Sequence, residues 1–497
     1  MKNKFCLFLA LLISLSSFSQ KIKWGTEAKS DKANGYTKTL GWYDDYLYTL
    51  EKDAPTAFKY GGTKIVQKIS KTLNVVSTID IKLENILKIG SSFDQLYEDR
   101  LEFFTIEYPG KGLGALFEIH YYELNGGFIE KKTVAKLDDD ELTVNNELSY
   151  TVHRSKDKKN FSYLIIKAEG EIFDTYAFEV INFDHLGENL NRFQFDVKSE
   201  QQLSRIYIDS YSIDHNDNHV IWCSEYIEGK DEINIRILVV NKNGETISDK
   251  SINNKELILN ISVVKFNKKG NYYFAGMLEK QNGKDRVKVG FFLGNYNTDT
   301  YEIDKIVPYS YTEEFFDGIG YKVKNSGTIK FYGWYSLDVL IDESENGYLI
   351  ANHKRNSGER GYIYNEILVI PFLSDLTLGE IKVIPRSVVA YPPYLNGLSH
   401  YGFLRSNSLY LIYTDHKKNI DIKDIGKLKD VEPKDGNASI YLAEINMDEE
   451  VKRKIISDKN EIGGYFISGR TSYLEDRLIL NVGKGKKVLY GELMFEE

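Results

Sequence analysis

Short runs of apolar residues alternate with polar ones along almost the whole chain, and Gly, Asn, Asp or Lys residues bound each run. An alternation with a period of two is typical of half-buried β-strands, and the bounding residues are typical of turns. Long segments with the 3.6-residue period of a helix are missing, and residues 84–101 come nearest to one. The pattern predicts an all-β protein.

One unit, a polar turn followed by an aromatic-rich strand, recurs about every 60 residues. Within a unit, one strand precedes this marker strand, and two further strands follow it with turns between them. Four antiparallel strands per unit, repeated around an axis, are the architecture of a β-propeller. The marker strands with their turns begin at Asp45, Arg100, Asn160, Asn218, Gly270, Gly347, Asn407 and Asp476. These units predict an eight-bladed propeller, with seven blades as the alternative.

The two ends of the chain predict how the ring closes. The last unit lacks a fourth strand, and residues 21–25 supply an unassigned one. Pairing of this N-terminal strand with the last blade would leave only short strand edges exposed. We therefore expect a single propeller domain over residues 20–497. The alternatives are an outer-membrane barrel, which needs an unbroken outward apolar band, and two successive β-sandwich domains, which need a linker.

Two units are longer than the others. The additional residues in the unit before Gly347 predict an insertion around residues 298–325, in which residues 313–318 form a loop over one face. The excess after Asn407 contains a Lys- and Asp-rich stretch, residues 416–437, which we expect to be a solvated loop.

The first residues have the build of a secretory signal peptide. Lys2 and Lys4 precede an apolar run over residues 5–15, and a Ser-rich stretch with a small-x-small motif ends at Ser19. We expect residues 1–19 to be cleaved and the chain to be exported to the periplasm, the cell surface or the medium. A transmembrane anchor is the alternative, but this run would span only about 16 Å of a hydrocarbon core about 30 Å thick. No later segment is apolar for long enough, so we expect no transmembrane segment after cleavage.

Composition and charge narrow the classes of function. The 497-residue chain is 42% apolar, which excludes wholesale disorder. Its formal net charge is -9, so it lacks the basic excess that nucleic acid attracts, and we expect no nucleic-acid partner. Of its two cysteines only Cys223 lies beyond the signal segment. We expect Cys223 to be buried in a strand, with no disulfide.

The turn and strand Lys269-Gly270-Asn271-Tyr272-Tyr273 resemble those of secreted β-propeller proteins of Gram-negative bacteria, most of which have no assigned function. The resemblance extends loosely over the chain after the signal segment. It implies a propeller fold and export, and it carries no catalytic residues to this chain.

Two turns have the oxygen spacing of a calcium loop. In the first, oxygen-bearing side chains occupy positions 1, 3, 5 and 12, but a histidine stands where the loop needs glycine. The second keeps that glycine and has a histidine at position 12. The candidate ligands are Asp214, Asn216, Asn218, Glu225, Asp342, Ser344 and Asn346. The alternative is that Asp and Asn occupy these turns because their side chains cap the backbone, in which case the chain has no cofactor.

Two near copies of one motif offer flat aromatic rings. Trp42 and Tyr43 follow Leu40-Gly41, and Trp334 and Tyr335 follow Tyr332-Gly333. A ring beside a glycine can form a platform for a sugar or a peptide near the channel mouth. Bulky rings also serve packing between blades, which is the alternative interpretation.

No catalytic signature is present, since the sequence has no Gly-x-Ser-x-Gly, no phosphate-binding loop and no dinucleotide-binding motif. The leading hypothesis is therefore an exported, non-catalytic, monomeric propeller that binds an envelope protein or a glycan. The alternative is a hydrolase or lyase acting on polysaccharide, with carboxylates gathered at the channel mouth.

Overall fold

The fold is taken from a computed structural model of the chain. It describes residues 21–29, 36–52, 63–82, 93–107, 114–138, 149–166, 174–199, 204–227, 233–252, 258–267, 269–282, 285–318, 334–356, 361–390, 400–432, 436–447, 451–458, 465–466, 471–474, 477–484 and 487–495. The signal peptide predicted over residues 1–19 lies outside these ranges. Within them, no helix has the length and apolar character needed to cross a bilayer.

Eight antiparallel sheets, the blades, form a ring, which confirms the eight-bladed β-propeller. Strands β1 (Lys21–Trp24) and β2 (Ala28–Lys29) precede the first blade. Blade 1 contains β3 (Tyr36–Tyr43), β4 (Tyr46–Lys52), β5 (Thr63–Ser70) and β6 (Val75–Lys82). Blade 2 contains β7 (Phe93–Tyr97), β8 (Arg100–Glu107), β9 (Ala115–Glu123) and β10 (Phe128–Leu137). Blade 3 contains β11 (Ser149–Arg154), β12 (Asn160–Ile166), β13 (Thr175–Asp184) and β14 (Asn189–Lys198). Blade 4 contains β15 (Ser204–Ile213), β16 (His219–Ile227), β17 (Ile233–Val240) and β18 (Thr246–Ile252).

The second half of the ring follows the same plan with two irregular blades. Blade 5 contains β19 (Ile258–Phe266), β20 (Tyr272–Asn282), β21 (Asp285–Asn297) and β22 (Glu302–Ser310). Blade 6 contains β23 (Trp334–Ile341), β24 (Gly347–Asn356), β25 (Tyr362–Phe372) and a split outer strand, β26 (Lys382–Ile384) and β27 (Val388–Ala390). Blade 7 contains β28 (His400–Arg405), β29 (Ser408–His416), β30 (Ala438–Ile445) and β31 (Lys452–Asp458). Blade 8 contains a split first strand, β32 (Tyr465–Phe466) and β33 (Ser472–Leu474), then β34 (Arg477–Lys484) and β35 (Lys487–Met494).

Position within a blade decides how much of a strand is exposed. First strands of neighbouring blades contact each other, as β11 and β15 or β19 and β23 do, so the first strands surround the central channel. Fourth strands such as β14 and β18 expose alternate side chains on the outer wall. The predicted marker strands are the second strands of the blades, and those of blades 2 and 3 are buried along nearly their whole length.

The antiparallel order gives the ring two different ends. We call the end that carries the connections from first to second and from third to fourth strands the hairpin face. The opposite end, the loop face, carries the connections from second to third strands and from one blade to the next. Consequently the first strand of every blade begins at the loop face and ends at the hairpin face.

The hydrophobic core is divided among the eight seams between adjacent blades. Clusters of buried apolar residues occupy all eight seams, with two clusters in the seam between blades 6 and 7, so that no single central core exists among the described residues. In the seam between blades 4 and 5, for example, Trp222 packs with its ring 5.0 Å from Phe274 and 5.7 Å from Tyr296. Each blade is therefore stabilised mainly by its two neighbours.

The N-terminal strand closes the ring, as the sequence predicts. β1 pairs antiparallel with β35, in a register that runs from Lys21 opposite Met494 to Trp24 opposite Gly491. Blade 8 thereby obtains its outer strand from the other end of the chain.

Eight described hairpins share one turn geometry. The first residue of the turn donates its N–H to the carbonyl four residues later, and the residue at the fourth position donates back to the first. That fourth residue has a positive φ, which is a three-residue hairpin loop ending in a bulge. These turns begin at Ser70, Glu123, Asp184, Asp214, Asn241, Asn267, Asp342 and Leu373.

The two long units differ from their predictions. Residues 313–318, predicted as a loop, form the short helix α1 (Glu313–Gly318), because Phe315 and Phe316 bury their rings in the seam between blades 5 and 6. The stretch 416–437, predicted as a solvated loop, contains two 3-10 turns, Lys417–Asn419 and Ile425–Lys427, and the side chain of Asn419 is buried.

Candidate functional site

The two aromatic motifs that are near copies in sequence lie at opposite ends of the ring. Trp42 and Tyr43 end β3 at the hairpin face, whereas Trp334 and Tyr335 begin β23 at the loop face. Blades 1 and 6 are not neighbours. The structure therefore does not bring the four residues into one platform.

Trp42 and Tyr43 take part in packing between blades. Trp42 is half-buried against the cluster between blades 8 and 1, and the guanidinium of Arg477 lies 4.3 Å from its ring. Tyr43 packs against the cluster between blades 1 and 2. The side chains of Trp334 and Tyr335 lie outside the described part of the chain, so a platform role for them stays a prediction.

The Asp214 carboxylate is occupied by its own turn. Its Oδ1 accepts hydrogen bonds from the backbone N–H of Asn216 at 2.8 Å and of Asn218 at 2.9 Å, and its Oδ2 accepts from the Tyr301 hydroxyl at 3.2 Å. Asp342 caps its turn in the same way, with Ser344 at 2.7 Å and Asn346 at 3.0 Å.

Glu225 lies far from the Asp214 turn. It is separated from Asn218 by seven residues of β16, or about 23 Å at roughly 3.3 Å per residue. Its carboxylate is buried in the seam between blades 3 and 4, where the hydroxyl of Ser204 donates to it at 2.9 Å. The structure does not bring it to the proposed calcium loop.

Thermal unfolding tests directly whether the two turns bind calcium. Among the described residues, no group of three or more His, Cys, Asp or Glu side chains is arranged to hold a metal ion. Since backbone N–H groups occupy Asp214 and Asp342, we expect the same midpoint of thermal unfolding in millimolar calcium and in EDTA. A clear rise of the midpoint in calcium would instead establish a site that binds the folded state.

The channel wall of blade 4 carries an exposed aromatic ring between two charged side chains. Arg205, Tyr207 and Asp209 are exposed and alternate along β15 with Ile206 and Ile208, which face the seam with blade 3. Because β15 is the innermost strand of blade 4, the side chains that it exposes lie beside the channel, on the face of the blade that is turned toward blade 5. Tyr207 is 38% exposed.

The second strand of blade 4 holds this tyrosine in place. Tyr226 of β16 contacts Tyr207 edge to face, with 5.2 Å between the ring centroids. Asp209 is the extra residue of a β-bulge between Ile208 and Ser210, and its Oδ2 accepts a hydrogen bond from the Ser224 hydroxyl at 2.7 Å. Since β15 begins at the loop face, Arg205 and Tyr207 lie near that mouth of the channel.

These groups suit a polyhydroxylated ligand. The face of a tyrosine ring is apolar enough to contact the C–H groups of a sugar. A guanidinium donates hydrogen bonds to sugar hydroxyls, and a carboxylate accepts hydrogen bonds from them. A concave wall with one ring and a few placed polar groups is the usual composition of a small-ligand site.

The channel wall stays polar beyond blade 4. Lys265 of β19 and Asp338 of β23 form an ion pair of 3.1 Å between the innermost strands of blades 5 and 6, and both side chains are partly exposed. A ligand that enters past Tyr207 therefore meets further hydrogen-bonding groups.

A pair of carboxylates with opposed pKa shifts lies in the seam between blades 1 and 2. Burial raises the pKa of Glu107, whereas hydrogen bonds from His120 and Lys131 outweigh burial and lower the pKa of Glu118 to about 2. Lys131 lies 3.0 Å from Glu118 and 3.7 Å from Glu107. Both residues are at least 90% buried, and their ionic partners His120 and Lys131 lie in the same blade, so this pair is placed to tie together β8, β9 and β10.

Sequence reasoning missed the blade 4 site, although a signal was present. The stretch Ser204-Arg205-Ile206-Tyr207-Ile208-Asp209 alternates strictly, with every non-aliphatic residue after Ser204 on one face. In a first strand, that face lies beside the channel. The pattern becomes informative only once the strand is known to be innermost.

No protein-family model matches this chain, and no curated protein matches its sequence. Solved structures match it at low similarity. The polysaccharide lyase Uly1 has 11% identity and a TM-score of 0.41, over 95% of this chain and 100% of that one. An ulvan lyase of the polysaccharide lyase family PL25 has 9% identity and a TM-score of 0.42, over 87% and 96% of the two chains. The β-propeller domain of the Trilobed protease from Pyrococcus furiosus has 11% identity and a TM-score of 0.35, over 86% and 97%. The eight-bladed propeller is established by the sheet order and register described above.

Proposed function

We propose that this chain is an exported β-propeller that binds a glycan on the channel wall of blade 4 and catalyses no reaction on it. The observation that carries the proposal is the exposed ring of Tyr207, flanked on the same face of β15 by Arg205 and Asp209. Among the side chains that the structure describes, most aromatic rings are buried or partly buried, and Tyr207 is the exposed one on an innermost strand.

Binding is favoured over hydrolysis or lysis by where the perturbed carboxylates lie. The opposed pair, Glu107 and Glu118, is buried in a seam, where the ammonium of Lys131 lies 3.7 Å from one carboxylate and 3.0 Å from the other. The two carboxylates of a glycosidase stand about 5 Å or more apart, on either side of the scissile bond. This pair leaves no room for a sugar between its members.

Glycan-array binding of the chain from residue 20 onward tests the proposal. We expect Tyr207→Ala to lower the affinity for the bound glycan roughly tenfold, as loss of one aromatic contact would. Phe128→Ala is the matched control, because Phe128 on the outer wall is the other largely exposed aromatic side chain among the described residues. We expect this control to bind like the wild type.

Three results would contradict the proposal. Absence of binding to every glycan would favour the envelope-protein partner, and an equal loss in both variants would remove Tyr207 from the site. Appearance of new reducing ends or of unsaturated sugars during incubation would show that the chain is an enzyme.

A further inference from the structure

The connection between the second and third strands of blade 7 presents lysines from a fixed backbone. Residues 417–429, which we call the lysine loop, contain five lysines and two aspartates, in a chain whose net charge is -9. The exposed lysines of the loop are Lys418, Lys423, Lys427 and Lys429. The loop belongs to the loop face, where the channel mouth beside Tyr207 also opens.

A buried asparagine near the start of the lysine loop holds the end of the loop in place. The side chain of Asn419 donates to the Asp415 carboxylate at 2.9 Å and to the carbonyl of Lys429 at 2.9 Å, and it accepts from the N–H of Lys429 at 3.0 Å. Asn419 is fully buried. Two ends of the loop are thereby joined through one side chain.

Arg453 of β31 holds the backbone of the lysine loop through hydrogen bonds to its carbonyl groups. Its guanidinium donates to the carbonyls of Ile420 at 2.7 Å and Ile422 at 3.1 Å, and to that of Pro385 in blade 6 at 3.1 Å. One cation therefore satisfies carbonyls of the loop and of the neighbouring blade. A loop that needed only to be solvated would not require these contacts.

The loop also continues into blade 6, where another lysine lies. Just beyond the loop, Val431 forms a parallel bridge with Val388 of β27, and both pack in one cluster with Tyr364. The ammonium of Lys354 lies 5.5 Å from the ring of Tyr364 and 3.8 Å from that of Tyr362. The cationic surface thus extends across the boundary between blades 6 and 7.

We infer that the lysine loop binds the acidic groups of the glycan, so that the ligand is a carboxylated or sulfated polysaccharide. This inference rests on the proposed glycan-binding function. A loop whose backbone is already fixed binds a polyanion without losing loop freedom at that moment, which strengthens binding. The charge is also selective, because the remaining surface of an acidic chain repels a polyanion.

Titration calorimetry with polygalacturonate, dextran sulfate and neutral dextran tests the inference. The test variant replaces Lys418, Lys423, Lys427 and Lys429 with glutamine. The control variant makes the same change of charge at Lys71, Lys136, Lys269 and Lys487, which are exposed by 61%, 60%, 56% and 56%. We expect the test variant to lose at least tenfold in affinity for the acidic polymers at low salt, and the control to lose less than threefold.

Salt supplies a second readout of the same surface. Lysines that bind a polyanion release counterions, so the affinity of the wild type should fall steeply with salt and that of the test variant should fall less steeply. Equal losses in test and control variants would overturn the inference. So would binding of the wild type to vesicles of phosphatidylglycerol without binding to any polysaccharide.

The Tyr207→Ala variant separates the two proposals. If it loses affinity while the lysine variant does not, the glycan-binding function stands and the lysine loop has no part in it. If only the lysine variant loses affinity, the acidic ligand stands and the tyrosine platform is wrong.

Discussion

Deletion of residues 21–25 should lower the free energy of unfolding by about 4 kcal/mol. Trp24 and Ile22 pack against the cluster between blades 7 and 8, and their loss removes apolar contacts of a size that costs several kcal/mol in other cores. The deletion also removes the backbone partner of β35, including the hydrogen bond of 2.9 Å from the N–H of Gly25 to the carbonyl of Tyr490. β35 then becomes an open strand edge, which favours association with other chains.

Urea unfolding followed by circular dichroism measures this loss. Lys23→Ala is the control, because Lys23 lies in the same strand and its side chain is exposed. We expect the control to remain within about 0.5 kcal/mol of the wild type. A deletion variant as stable as the control would mean that the ring closes without the N-terminal strand.

Acid should destabilise the ring between pH 6.5 and 4, because three histidines are held neutral in the fold. Burial lowers the pKa of His153, His219 and His400 to about 4 in each case. The unfolded chain binds these protons from about pH 6.5 downward. Between the two values the unfolded state holds more protons, so the stability is complete above pH 6.5 and is lost as the pH falls toward 4.

The surroundings of His153 and His219 explain the direction of the shift. The two imidazoles flank Tyr211 in the seam between blades 3 and 4, and the Tyr211 hydroxyl lies 2.7 Å from Nδ1 of His219. After burial, Arg154 acts on His153 and His153 acts on His219, and both effects lower the pKa. Among the described residues, no carboxylate counteracts these effects at either imidazole.

Urea midpoints measured from pH 7.5 to 4 test this prediction. His219 is 2% exposed, and its protonation alone should cost about 3 kcal/mol across the range. In His219→Gln the free energy of unfolding should fall less steeply with acid, by the amount that the uptake of up to one proton accounts for. His215→Gln, at an exposed position, should follow the wild type.

Asp415 acts in the opposite direction, because burial raises its pKa to about 6. The stability that this group contributes is lost as the pH rises. A wild-type profile that is flat below pH 6.5 would contradict the prediction.

The fold could be predicted because its information is local and repeated. In every unit of the sequence a polar turn is followed by an aromatic-rich marker strand. In blades 4, 5 and 6 that turn has the geometry of Asp214–Asn218. Ring closure followed from counting strands in the last unit. Neither inference required knowledge of contacts between distant residues.

The candidate site could not be predicted in the same way. Trp42 and Trp334 share a sequence motif, but Trp42 lies at the end of a first strand and Trp334 at the start of one. The motif alone does not show where along the strand its residues lie. The lysine loop looked like a solvated stretch because its anchors, Asn419 and Arg453, are polar residues that only the tertiary structure buries. Burial of polar groups is the part of a fold that hydrophobic pattern does not reveal.

Ring closure by β1 also has a consequence for how the chain is made. Lys21 of β1 pairs with Met494 of β35. Blades 1 to 7 can assemble during synthesis, but blade 8 cannot be completed before β35 has been made. A contact that spans nearly the whole sequence is also slow to form. The ring therefore stays open throughout the synthesis of blades 1 to 7.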